Sequence, residues 1–233
     1  MTISRTKIVI IGDSNSMPRL EVEYDDTYIS KLKQSFPAID FIDKCKRGGT
    51  TNRFVQEGAG FKDTRRGADL LEYYKPSVVI TQMGIVDCAP RLVRAKSFLA
   101  YSLMVSPSFI RNRAYVLLKK YKKRDIKNAE VSPERFRSNW ENFLQRAALT
   151  NTKVIAIKIT HPTERFKEKN PDIPAAIKMY NDLLDSFRND YPNLITFDPF
   201  EPDEVDNFVL DDGYHYNTNA HKHIFSKLSK LIG

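Results

Sequence analysis

The stretch Lys7-Ile8-Val9-Ile10-Ile11-Gly12-Asp13-Ser14-Asn15-Ser16 decides how the rest of the chain is interpreted. Its apolar, mostly β-branched run is typical of a buried strand, and the Gly-Asp-Ser that follows indicates a tight turn. In an open parallel sheet, ligands and reacting groups collect at the carboxyl ends of the strands. Ser14 is therefore predicted to lie at that edge. Taken alone, Gly-Asp-Ser is more typical of a strand-to-helix turn with a capping serine.

A serine hydroxyl needs a neighbouring base to act as a nucleophile, and the best candidate lies near the other end of the chain. His215 occurs in Leu210-Asp211-Asp212-Gly213-Tyr214-His215, three residues after Asp212. Ser14 near the start, combined with Asp-x-x-His near the end, resembles the GDSL/SGNH hydrolase family of serine esterases and acetylesterases. The resemblance implies Ser14, His215 and Asp212 as catalytic residues, with the neighbouring Asp211 as the alternative acid.

The alternation of strand and helix patterns predicts the fold class. Strand patterns cover 7–11, 39–42, 78–82, 153–159 and 194–197, and helical patterns include 27–35, 68–74, 133–147, 173–187 and 217–231. The 233 residues are 41% apolar and contain no second core pattern, which favours a single three-layer α/β/α domain over 1–233. The family resemblance implies a parallel, flavodoxin-like sheet, the SGNH hydrolase fold.

Two further blocks resemble the family's oxyanion-hole motifs. After the second strand comes Gly48-Gly49-Thr50-Thr51-Asn52. The resemblance implies that a glycine here gives its backbone N–H to the oxyanion, with Gly49 as the preferred match and Gly48 as the alternative. An ordinary turn explains the two glycines equally well.

The next family block is Gly-x-Asn-Asp, in which the asparagine side chain is an oxyanion donor. Gly84 and Asp87 fit this block, but Val86 stands in the place of the asparagine. Valine has no donor, and the loss of one donor costs on the order of 3 kcal/mol of transition-state stabilisation. The candidate replacements are Asn15, Asn52 and Arg91.

The string from Gly84 to Arg91, Gly-Ile-Val-Asp-Cys-Ala-Pro-Arg, is similar to that of family members associated with bacterial surface-polysaccharide synthesis. His161, at the end of the fourth predicted strand, is a candidate substrate contact, although a histidine there is more often structural. The polar segment 164–171 after it is predicted to be a loop that leaves room for a substrate rim.

Composition limits the other functions. The two cysteines do not indicate a disulfide framework, and the amino terminus shows no signal-peptide pattern, so we expect a cytoplasmic protein, with peripheral attachment to the inner membrane as an extension of that location. The net charge of +8 fits an acidic partner, but no motif predicts specific nucleic-acid binding. We expect no cofactor and no metal. The sequence does not predict the oligomeric state.

A basic helical insertion is predicted at about 91–150. Its first part, 91–127, contains one acid, Asp125, among many basic and apolar residues. Such a segment can lie on an anionic membrane surface, or it can pack its apolar side on the domain and leave its lysines in solvent. The basic residues are Arg91, Arg94, Lys96, Arg111, Arg113, Lys119, Lys120, Lys122, Lys123, Arg124 and Lys127.

Three functions are compatible with these residues. The first is a serine esterase that removes a small acyl group, with acetyl favoured, from a carbohydrate or polysaccharide precursor. The second is an O-acyltransferase that uses the same three residues and a sugar hydroxyl as acceptor. The third is a non-catalytic member that binds a glycan or a membrane, a class that Val86 favours and an intact Ser14, Asp212 and His215 disfavour.

Overall fold

A computed structural model describes residues 6–55, 70–93, 97–121 and 125–233. The first two residues of the helix predicted at 68–74, and the basic residues Arg94, Lys96, Lys122, Lys123 and Arg124, lie outside these ranges. The described part of that predicted helix, 70–74, forms turns.

Five parallel strands form one sheet in the order β2-β1-β3-β4-β5, which confirms the flavodoxin-like arrangement. The strands are β1 (Lys7–Gly12), β2 (Asp40–Asp43), β3 (Val78–Gln82), β4 (Lys153–Ile157) and β5 (Leu194–Phe197). The helices are α1 (Tyr28–Ser35), α2 (Ile85–Cys88), α3 (Phe98–Val105), α4 (Ser108–Tyr121), α5 (Pro133–Leu149), α6 (Glu164–Lys169), α7 (Ile173–Ser186) and α8 (Thr218–Ile232).

The alternation of side chains along β1 creates two apolar layers, one on each face of the sheet. Val9 and Ile11 belong to the layer that contains Trp140 of α5 and Tyr180 of α7. Ile8 and Ile10 belong to the opposite layer, which is covered by residues of α1 and α8. All four β1 residues are buried, as the continuous apolar run predicts, and the three-layer α/β/α architecture is confirmed.

β4 ends two residues earlier than its pattern predicts. Beyond Ile157, the backbone groups of Ile159 bond a side chain: Asn181 accepts from the Ile159 N–H at 2.9 Å and donates to its carbonyl at 2.8 Å. The apolar pattern continues because Ile159 stays buried, but its ladder bonds have been replaced.

The segment predicted as an insertion divides into two parts. α5 is one of the helices that cover the sheet, because Phe136, Trp140 and Phe143 lie in the core. α3 and α4 are the peripheral part, and α3 packs chiefly against α4. Within the ranges described, no helix has both the length and the apolar character needed to cross a bilayer.

Candidate active site

The turn after β1 holds Ser14 at the carboxyl edge of the sheet. Ser14 opens a short 3-10 helix, and the Asp13 carboxylate accepts a hydrogen bond from the Asn15 N–H at 2.8 Å, so Asp13 fixes the turn. Gly12 is required here, because a Cβ would lie 2.2 Å from Ser16 Oγ and 2.8 Å from Cys45 Sγ. The strand can therefore turn into the site only where its last residue has no side chain.

A loop before α8 brings His215 to Ser14. The Leu210 N–H donates to the His215 carbonyl at 2.7 Å, and Gly213 takes a positive φ of 89° that favours glycine. The Ser14 Oγ and His215 Nε2 lie 3.0 Å apart, although the two residues are 201 positions apart in the chain. This is the hydrogen-bonding distance that a nucleophile and its base require.

Asp212 orients the imidazole from the other side. Its Oδ2 lies 2.5 Å from His215 Nδ1, and its Oδ1 accepts from the backbone N–H groups of Tyr214 and His215 at 3.1 and 3.0 Å. Asp211 instead bonds Arg165 through its carboxylate at 3.1 Å and its carbonyl at 2.6 Å. The geometry therefore places Asp212, and not Asp211, in line with His215 and Ser14.

The electrostatic setting suits a proton-accepting imidazole. Burial lowers the pKa of His215, which is 6% exposed, and outweighs the hydrogen bond that His215 donates to Asp212, which raises it. Burial raises the pKa of Asp212, but its hydrogen bonds with the backbone and the imidazole prevail and hold it below the usual value. At neutral pH, His215 is thus neutral and Asp212 charged.

The two glycines after β2 differ in position. The Gly49 N–H donates to the Lys46 carbonyl at 2.9 Å and Gly49 is buried. Gly48, with a φ of 64°, is exposed and lines the same cleft as Ser14. The N–H of Gly49, the preferred oxyanion donor, is thus engaged by a carbonyl, whereas Gly48, the alternative, lines the cleft.

The Gly84–Asp87 block stabilises the site through buried contacts. Asp87 is fully buried, and its Oδ1 accepts from the Thr51 N–H at 2.9 Å and the Thr51 hydroxyl at 2.5 Å, which ties α2 to the segment after Gly49. Burial raises the pKa of Asp87 to about 6. Gly84 lies against Ile159, where a Cβ would approach to 2.6 Å. Val86 itself lines the cleft, so an apolar side chain stands where the family has a donor.

The structure separates the three candidate replacements for that donor. Asn52 faces Asn139 and Arg135, which bond its Oδ1 at 3.1 and 3.5 Å. Asn15 is buried beside His161, and both residues line a small cavity of about 10 Å³ next to the main cleft. Neither residue lines the main cleft itself. Arg91 does line the cleft, and its Nη1 lies 3.4 Å from Glu130 Oε2.

The main cleft has a volume of about 760 Å³ and is walled largely by apolar side chains. Sequence reasoning did not name Phe166, Lys169 and Asn170 on its rim. They belong to the 164–171 segment, which is mostly the helix α6 and not a loop, and begins with Thr163 as its cap. In the sequence, only the polar composition after a predicted strand end indicates that these three residues could lie at the site.

Several solved structures are similar to this fold. A lipase/acylhydrolase from Enterococcus faecalis superposes with a TM-score of 0.62 at 17% identity, over 97% of this chain and 95% of that one. A G-D-S-L family protein from Desulfitobacterium hafniense gives 0.62 at 16% identity, over 97% and 99%. A catalytic mutant of an acetylxylan esterase from Geobacillus stearothermophilus gives 0.62 at 15% identity, over 100% and 97%.

The chain has the SGNH hydrolase fold. Protein-family models and curated sequences yield no match. At these identities the similarity establishes the fold, and the chemistry must be argued from the residues themselves. In this fold, Ser14 follows the first strand and Asp212 and His215 precede the last helix, at one edge of the sheet.

Proposed function

We propose that the protein is a serine esterase that cleaves a small acyl ester, with acetyl favoured, on a carbohydrate or polysaccharide precursor. The observation that carries this proposal is the continuous hydrogen-bonded chain from Ser14 Oγ through His215 to Asp212, at a cleft in the SGNH hydrolase fold. A binding protein has no use for such an arrangement, so it argues against the non-catalytic class.

In the proposed reaction, Ser14 Oγ attacks the ester carbonyl while His215 Nε2 takes its proton. The C–O bond to the alcohol then breaks, and His215 returns the proton to the departing oxygen. Water repeats the sequence on the acyl-serine and releases the acid. Asp212 holds the imidazole in the orientation that keeps Nε2 free to accept a proton, and it stabilises the imidazolium that forms. The backbone N–H groups of Ser14 and Gly48 are the proposed oxyanion donors.

The carbohydrate part of the proposal rests on the Gly84–Arg91 string and on the acetylxylan esterase among the similar structures. O-acyl transfer to a sugar is a second candidate, and the size of the cleft favours it. A cavity of about 760 Å³ exceeds the needs of an acetyl group and has room for an acceptor beside the acyl-serine. A sugar hydroxyl would then replace water in the second step.

Hydrolysis of p-nitrophenyl acetate, with and without a methyl glucoside acceptor, tests both candidates. Wild-type protein should release p-nitrophenol, and Ser14→Ala protein should not. Acetate as the sole acyl product identifies an esterase, whereas acetylated glucoside at the expense of acetate identifies a transferase. Equal turnover by the wild-type and Ser14→Ala proteins would contradict the serine mechanism.

A further inference from the structure

The two helices α3 and α4 form a hairpin that exposes an unusual amount of apolar surface. None of the eight described residues of α3 is buried, and Phe98 is 88% exposed. On α4, Phe109 is 66% exposed, and Val116 is equally open. The exposed large apolar residues of the hairpin are Phe98, Leu99, Tyr101, Met104, Val105, Phe109, Ile110, Tyr115, Val116 and Leu117. Apolar exposure on this scale within one hairpin is typical of an interaction surface.

The ionisable Asp, Glu, Lys and Arg residues of the hairpin are all basic. The segment 97–121 contains no Asp or Glu, whereas it contains Arg111, Arg113, Lys119 and Lys120. Arg111 and Arg113 are exposed between the apolar residues of α4. Apolar side chains interleaved with basic ones are complementary to a partner surface that has anionic groups at its boundary and an apolar layer beneath them.

The hairpin is also one wall of the cleft that holds Ser14. Leu103 of α3 and Leu118 of α4 line that wall, and Arg111 and Tyr115 line it as well. Any surface to which the hairpin binds therefore lies next to the cleft.

We propose that the α3–α4 hairpin docks the protein on an anionic lipid bilayer, with its aromatic and aliphatic side chains in the interface and its basic side chains on the lipid phosphates. The evidence for docking comes from the hairpin alone. Its consequence for the substrate, an ester borne by or transferred to a membrane-anchored molecule, rests on the proposed function.

Charge favours a bilayer over a second copy of this chain as the occupant. A symmetric dimer through the hairpin would set Arg111 and Arg113 against the same surface of the partner, with no acid on either segment to balance them. An anionic bilayer supplies the opposite charge and an apolar layer together.

Co-sedimentation with vesicles tests the proposal. Full-length protein should sediment with phosphatidylglycerol/phosphatidylcholine vesicles, and the bound fraction should fall in high salt and on pure phosphatidylcholine. The double variant Phe98→Ser/Phe109→Ser should bind at least about tenfold more weakly. Arg113→Gln should weaken binding about fivefold, since one basic residue near such a surface contributes about that factor. None of these three residues lines the cleft.

Matched controls isolate the hairpin. Leu149→Ser removes an apolar side chain that is 87% exposed at the end of α5, and Lys222→Gln removes an exposed charge on α8; both should bind as the wild type does. All variants should keep the wild-type unfolding temperature and the wild-type rate on p-nitrophenyl acetate. That rate is measured without vesicles, so failure of docking is distinguishable from failure of the esterase proposal.

Three results would overturn the proposal: binding that the controls weaken as much as the hairpin variants do, equal binding to neutral vesicles, or no binding to either kind. A dimer in analytical ultracentrifugation that dissociates in Phe98→Ser/Phe109→Ser, together with absent vesicle binding, would assign the face to a second copy of the chain instead.

Discussion

The two walls of the cleft are built in opposite ways. On one wall, His215 is nearly buried and hydrogen-bonded on both ring nitrogens, and Ser14 follows directly from a core strand. On the other wall, the α3–α4 hairpin has most of its apolar surface in solvent. The proposed catalytic residues are thus held by the core, whereas the hairpin wall is largely exposed. We infer that catalysis and the choice of substrate or surface are separable in this protein.

The largest expected effect is at Ser14. Ser14→Ala should lower turnover of p-nitrophenyl acetate by about a thousandfold or more, because the nucleophile is removed. The unfolding temperature should change little, since Ser14 is only half-buried at the edge of the sheet. Purified protein in a spectrophotometric assay, followed by a thermal melt, measures both quantities. His215→Ala should be as severe, and retention of more than a tenth of the rate by either variant would contradict the assignment.

Asp212→Asn should lower kcat by about a hundredfold to ten-thousandfold, because an amide no longer fixes the orientation of the imidazole or balances its charge. The matched control is Asp211→Asn, which changes the exposed contact with Arg165 and should leave kcat within about twofold of the wild type. The comparison is made by steady-state kinetics on one ester. If Asp211→Asn proved the more damaging variant, the observed contact between Asp212 and His215 would not be the productive one.

A smaller effect is expected for the donor missing at Val86. We propose Arg91 as the substitute, because it lines the cleft and a guanidinium carries several donors and a positive charge. Arg91→Ala should lower kcat by about tenfold to a hundredfold on every ester, small artificial ones included. Steady-state kinetics on p-nitrophenyl acetate and on an anionic ester measure it.

The double variant Arg91→Ala/Val86→Asn sharpens this test, since asparagine restores the family's amide donor at the cleft. It should recover part of the lost kcat, and Arg91→Ala/Val86→Leu should not. An Arg91→Ala protein with wild-type kcat, and a raised KM only for the anionic ester, would instead make Arg91 a substrate-binding residue.

The smallest expected effect is a shift in the acid limb of the pH profile. The reaction needs neutral His215, so kcat/KM should fall as the pH drops through the pKa of that imidazole. Burial lowers this pKa from 6.5, so the midpoint should lie below 6.5, and the rate should level off about one pH unit above the midpoint and stay level to pH 8. Initial rates from pH 4.5 to 8, with a parallel stability control, give the midpoint. A midpoint above 6.5 would mean that Asp212 outweighs the burial.

Local patterns predicted the strands and most helices well, because a buried strand needs a continuous apolar run and a surface helix needs a periodic one. They failed at two places, one where a tertiary contact replaced a local one and one where a short local signal was missed. The early end of β4 depends on Asn181, which follows Ile159 by 22 residues. The predicted loop at 164–171 is mostly helix, since the Thr163 cap that starts it is a short signal beside polar residues.

The sequence by itself determined the fold class and the candidates Ser14, Asp212 and His215, because a strand followed by Gly-Asp-Ser and an Asp-x-x-His are local patterns. Only the tertiary structure distinguishes Asp212 from Asp211 and Gly48 from Gly49. The members of each pair are adjacent in the chain, and which one faces His215 or the cleft depends on how the fold places the loop. The direction in which a loop residue faces leaves no trace in local spacing. The same holds for the hairpin, whose apolar residues became an exposed surface because no layer of the core covers them.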